Sequence, residues 1–171
     1  SVSLADERAR LQPILRQLHR LRVPVSIDTT KAPVARFALD EGAAVVNDVS
    51  GLQADPAVAE IAALRGAPLI LMHMRGTPAT MQAHAHYDDV PVQVARELTR
   101  SLERAVSRGM PWDQLIVDPG LGFAKQASQS ATALAHLEAI HALGRPVLVG
   151  PSRKSFLTAA TGPQPPAARE W

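Results

Sequence analysis

From residue 24 onward, short apolar runs alternate with stretches of helical periodicity. Five runs rich in Val, Ile and Leu each end on polar residues: VPVSID at Asp28, AAVVND at Asn47 and Asp48, PLILMH at His73, QLIVD at Asp118, and PVLVG running into Ser152, Arg153 and Lys154. Continuous apolar runs of this length read as parallel strands buried on both faces. Between them, apolar residues recur three and four apart. A leading helix over 1–21 carries Leu4, Leu11, Ile14, Leu15, Leu18 and Leu21. Thr30 is placed to cap a helix over 31–41, with Pro33 in its first turn and Gly42 just past its end. Asp55 and Pro56 open the next helix, which Gly66 stops. Residues 90–108 and 131–143 form two more, closed by Gly109 and Gly144. A last helix is expected from Ser152, and 157–171 reads as a poorly ordered, Pro-rich tail.

This alternation predicts one α/β domain over 1–171, about five parallel strands with flanking helices and right-handed crossovers. Two architectures remain open: a doubly wound sheet, or part of an eight-stranded barrel. No Gly-x-Gly-x-x-Gly fingerprint or Walker-type loop follows a strand, which weighs against nucleotide binding. In parallel α/β folds, ligands lie at the carboxyl ends of the strands. Asp28, Asn47, His73, Asp118 and Lys154 therefore belong to one functional rim. The connections after His73 and after Asp118 are longer than the roughly 2–6 residues usual for such loops, which also suits substrate binding.

Composition narrows the function classes. Hydrophobic residues make up 46% and charged residues 20%, as in an ordinary soluble domain. No apolar run is long enough to span a membrane. A net charge of +2, scattered basic residues and only three Phe, two Trp and one Tyr give no footprint for nucleic acid. The absence of cysteine excludes disulfides, thiolate metal sites and a Cys nucleophile, and suits a cytoplasmic protein.

The segment Asp118-Pro119-Gly120-Leu121-Gly122-Phe123 carries the most chemistry. A carboxylate at a strand end can pair with two parallel N–H donors, such as an aminopyrimidinone edge, while glycines admit a ligand closely and Phe123 offers an apolar plane. The pattern equally fits a helix-capping Asp in a Gly/Pro turn. Ser152-Arg153-Lys154-Ser155 is expected at a helix start, where backbone N–H groups favour anions; two cations there oppose the helix dipole and call for another reason. Asp28 and Asn47 end consecutive strands and need hydrogen-bond partners, from protein or ligand. Asp48 points to the opposite face from Asn47 and is the weaker ligand candidate. His73 reads as structural or as a general base. His84 and His86 have metal-like spacing but no third ligand nearby.

Five segments, SIDTTK, VVNDVSGL, LILMHMRGTPATMQ, IVDPGLGFAK and VLVGPSRKSF, resemble in order and spacing the dihydropteroate synthase family of pterin-binding (βα)₈ barrels. The resemblance covers nearly the whole chain, to Phe156. It implies condensation of a pterin carrying a methyl diphosphate with 4-aminobenzoate. Carried over by motif, Asp28, Asn47, Met72, Asp118, Gly122, Phe123, Gly150 and Lys154 resemble pterin-binding positions. Phe123, Lys154 and Ser155 resemble aminobenzoate positions, where sulfonamides compete, and Lys154 and Asp28 those with a catalytic part. The resemblance also implies Mg²⁺, small-molecule substrates and an assembly compatible with a homodimer.

Several features depart from the family. Its first two strands, with the asparagine for Mg²⁺, and its last strand, with an arginine and a histidine for diphosphate, have no counterpart in these residues, so no metal ligand is expected here. Ala124 stands where glycine is usual, and Ser130 replaces a frequent asparagine. A pterin-binding module without turnover is the alternative reading, and a corrinoid-dependent pterin methyltransferase domain a further one. SRKSF and DPGLGF favour the synthase over the methyltransferase.

Overall fold

A computed structural model describes residues 2–20, 22–158, 162 and 165, the side chain of His19 excepted. Four strands form, β1 (Ser26–Asp28), β2 (Val45–Asp48), β3 (Leu69–Met72) and β4 (Leu115–Asp118), each at the end of a predicted apolar run. They lie in one sheet in the order β1-β2-β3-β4. The β1–β2 and β2–β3 pairs are parallel, with Asp28 opposite Asn47 and Asn47 opposite Ile70. Spatial order that follows chain order is the winding of a barrel, whereas a doubly wound sheet reverses at its switch point. The architecture is thus α/β, a partial (βα)₈ barrel.

The fifth apolar run does not extend into a full strand. Val147 makes one parallel bridge to Val117, with Val117 N–H donating to Pro146 O (3.0 Å) and Leu148 N–H to Val117 O (2.9 Å). Pro146 has no N–H to give a ladder, which shortens the pairing. Burial on both faces is complete only for β3, whose four residues are all buried; in β1 only Ile27 is. An edge strand has a neighbour on one side only; β1 is such an edge, whereas β4 at the other end of the order has Val147 bridged to Val117 beside it.

The helices are α1 (Leu4–Leu15), α2 (Ala32–Asp40), α3 (Ala57–Arg65), α4 (Val90–Ser107), α5 (Ala127–Ala135) and α6 (Leu137–His141). The leading helix ends six residues early, and a 3-10 turn follows at Leu18–Arg20. Pro13 lies inside α1, where its missing N–H weakens the last turn. Thr30 does not cap α2. The cap position is Lys31, and the Asp55 carboxylate accepts the Ala32 N–H instead (2.8 Å). Gly66 closes α3 in the left-handed conformation, as its position predicts. The helix expected over 131–143 starts earlier and breaks at His136, because Gln126 and Gln129 build a capping box at its front. At Ser152 a turn replaces the expected helix start, and a 3-10 helix, Ser155–Leu157, follows Lys154, with Thr158 helical at the edge of the described residues. Most of the predicted tail, like Leu21, lies outside the described residues.

The chain divides into two compact units, residues 1–71 with 100–116, and 72–99 with 117–171. In the first, Ala35 and Ala38 of α2 and Val58, Ala59 and Ala62 of α3 are fully buried, and small side chains let helices pack closely. In the second, Val90, Val94 and Leu98 of α4 form the apolar face, with Leu121, Ala133 and Ile140 also buried. No helix among the described residues is long and apolar enough to cross a membrane.

Candidate functional site

In the first unit, the β1–β2 register sets two polar strand ends side by side. Asn47 Nδ2 donates to Asp28 Oδ1 at 2.8 Å, while the buried Asn47 Oδ1 has no hydrogen-bond partner. An orphaned buried amide oxygen costs about 1–3 kcal/mol, so it is an acceptor held ready for a donor. Asp48 does different work. Fully buried, it accepts from Ser50 N–H (2.8 Å), Ser50 Oγ (2.7 Å) and Leu52 N–H (2.9 Å). Burial pushes its carboxyl up, against these hydrogen bonds. It anchors the loop in which Gly51 and Leu52 take positive φ, in keeping with its place on the other face.

The second unit gathers the remaining candidates. Asp118 Oδ1 accepts the Gly120 N–H (2.7 Å), which closes the turn and aims the carboxylate. Phe123 N–H donates to Gly120 O (3.0 Å), and Gly122 N–H to Oγ of the buried Ser130 (3.1 Å). Lys154 Nζ lies 4.3 Å from the centroid of the Phe123 ring, a cation–π contact. Burial lowers the Lys154 pKa, opposed by the Asp118 charge. A carboxylate, an apolar ring and an ammonium thus converge on one loop.

The two glycines of the loop have different neighbours. A Cβ on Gly120 would lie 2.0 Å from the His73 carbonyl oxygen, so the close partner is the protein's own backbone. At Gly122, φ is +79° and a Cβ would meet Lys154 Cδ at 3.6 Å. Met72 is buried, with its Cγ 3.3 Å from the Gly120 Cβ position; Gly150 and Ser155 are exposed.

His73 belongs to a network that the strand-end pattern did not reveal. Its Nε2 bonds Glu97 Oε2 (3.0 Å), and its Nδ1 meets Lys125 Nζ (2.8 Å). Burial holds this imidazole neutral, with a pKa pushed down to about 4. Its Nε2–H therefore donates to Glu97, and Nδ1 accepts from Lys125. Arg75 bonds both Glu97 oxygens and lies 3.9 Å from the Tyr87 ring centroid. Burial raises Glu97, but His73 and Arg75 outweigh it and bring the carboxyl to about 2. Burial also pushes the Tyr87 hydroxyl up to about 12. A signal for Glu97 existed: it falls between Val94 and Leu98 on the face of α4 that carries Val90, Val94 and Leu98. Arg75 and Lys125 carried no comparable mark.

The sequence profile described as "Pterin binding enzyme" matches residues 1–171. The chain belongs to this pterin-binding enzyme family. A dihydropteroate synthase of Synechocystis sp. is 44% identical over 172 residues, covering 100% of this chain and 60% of the relative. Among solved structures, a Xanthomonas albilineans dihydropteroate synthase in complex with 7,8-dihydropteroate superposes with a TM-score of 0.89 at 36% identity, over 98% of this chain and 61% of the other. A Thermus thermophilus dihydropteroate synthase in complex with 4-aminobenzoate superposes at 0.90 and 44% identity, covering 98% and 65%. The chain thus spans about 60% of the length of these family members.

Proposed function

We propose that the chain is the pterin-reading part of a dihydropteroate synthase, which joins a pterin-methyl diphosphate to 4-aminobenzoate. The observation that carries this reading is the convergence of Asp118, Phe123 and Lys154 on one loop. A pterin presents a 2-amino group and ring N–H along one edge, a carbonyl and ring nitrogen nearby, and a flat π-face. Asp118 accepts from the first, Lys154 donates to the second, and Phe123 flanks the third. The motifs assign Asp28 and Asn47 to the same ligand class, and the unpartnered Asn47 Oδ1 supports an N–H donor there. Met72, Gly122 and Gly150 are assigned to the ring on motif alone.

In the proposed reaction the bond between the pterin methylene carbon and the diphosphate oxygen breaks, and diphosphate leaves with the electron pair. The amine nitrogen of 4-aminobenzoate bonds that carbon and releases one proton. Charge moves without any covalent bond to the protein, so the residues act by position and field. Lys154, with Phe123 and Ser155 beside it in the motif, is assigned to the aminobenzoate side, and Lys154 and Asp28 to a catalytic part. Among the described residues no group of three or more His, Asp or Glu could hold a metal ion.

Titrating pterin into the chain and into Asp118→Ala tests the site. Losing a charge-assisted contact pair of about 1.5–3 kcal/mol should weaken binding roughly tenfold to a hundredfold. Equal affinity for both proteins would remove Asp118 from the site.

A further inference from the structure

Lys125 is buried, 3% exposed, and follows the candidate loop directly. Its ammonium has three N–H donors and meets three acceptors: His73 Nδ1 at 2.8 Å, Gly120 O at 3.2 Å and Phe123 O at 3.2 Å. Two of these are carbonyls of one loop. They belong to the residues that orient the candidate groups, since Gly120 N–H holds Asp118 and Phe123 carries the ring beneath Lys154. The third acceptor is fixed from behind, His73 being held by Glu97 and Glu97 by Arg75. One end of the brace is therefore rigid and the other grips the loop. Ala124, between loop and brace, sits at φ +48°, a left-handed conformation that a non-glycine residue adopts only when its surroundings hold it there.

We propose that Lys125 is a positioning residue that holds the Asp118–Phe123 turn, and through it the Asp118 carboxylate and the Phe123 ring, in the geometry that accepts a pterin. The pterin part rests on the function proposed above; the brace does not. Burial lowers the Lys125 pKa to about 7, with the charges of Asp118 and Glu97 raising it and Arg75 lowering it. Neutral His73 and the Tyr87 ring, 5.9 Å away, are the other groups facing it. Above neutral pH the amine has one N–H fewer than it has acceptors.

The test uses Lys125→Met in the full chain, which keeps the side-chain volume while removing the donor to His73 Nδ1, Gly120 O and Phe123 O. Thermal melting, amide hydrogen exchange at Gly120 and Phe123, and pterin titration are measured together. The expected result is a lowered melting temperature, loop amides exchanging roughly tenfold faster while the amides of the buried strand β3 change less, and pterin bound roughly tenfold more weakly. Unchanged exchange overturns the brace. Faster exchange with unchanged affinity overturns the positioning role. A wild-type chain that binds no pterin sinks the functional reading alone, while loop exchange still decides the brace. Should Lys125→Met fail to fold, the wild-type carbonyl ¹³C shifts of Gly120 and Phe123 are followed from pH 6 to 9. Both should titrate together with the Lys125 side chain, and flat shifts would end the proposal.

Discussion

At Gly120 the smallest side chain is already too large. A β-carbon there would lie 2.0 Å from the His73 carbonyl oxygen, in a residue whose φ of +66° already disfavours L side chains. Left-handed strain alone costs about 1–2 kcal/mol, and the clash adds to it. Gly120→Ala should therefore lower stability by more than about 2 kcal/mol, seen as a lower denaturation midpoint at unchanged slope. His73 makes a prediction in pH. In the fold it titrates near 4 rather than 6.5, so burial favours its neutral form. Between those values the unfolded chain binds more protons, and stability must rise with pH. About 3 kcal/mol is present above pH 6.5 and lost as pH falls through 4. Denaturant unfolding across this window should show that slope, and His73→Gln should flatten it.

At the scale of elements, helix ends are set partly by neighbours in sequence and partly by distant residues. Gly66 and Gly109 end α3 and α4 where the pattern predicts, because a stop by a left-handed glycine is local. The front of α2 is not local. Asp55, 23 residues downstream, accepts the Ala32 N–H while its other oxygen accepts Ala57 N–H (3.1 Å) at the start of α3. One carboxylate thus caps two helices. With about 1 kcal/mol per cap, Asp55→Ala should cost about 2 kcal/mol. The Ala32 and Ala57 amides should lose hydrogen-exchange protection first, and protection lost at only one of them would disprove the shared cap. Thr30 had the right side chain one residue before the cap position, and the carboxylate that takes the Ala32 N–H came from another loop.

For the whole molecule, β3 is the strand to perturb, since all its residues are buried. Leu71, fully buried, should cost about 2–5 kcal/mol on truncation to Ala, more than loss of either cap. Thermal melting of Leu71→Ala beside Asp55→Ala would check the ranking. The sheet order β1-β2-β3-β4 also belongs to this scale. Periodicity alone left barrel and doubly wound sheet open, because both share the same β–α alternation and differ only in which strands become neighbours.

By itself the sequence determined the β–α rhythm, the polar strand ends and the family, since apolar period, glycine stops and contiguous motifs are written in neighbouring residues. Asp28, Asn47, Asp118, Phe123 and Lys154 were legible in that way. Only the tertiary structure decided how these side chains are held. His73 meets Lys125 across 52 residues and Glu97 across 24, and the Gly120 backbone packs on the His73 carbonyl. Such pairings satisfy buried polar groups, and no local pattern specifies which distant group will do so.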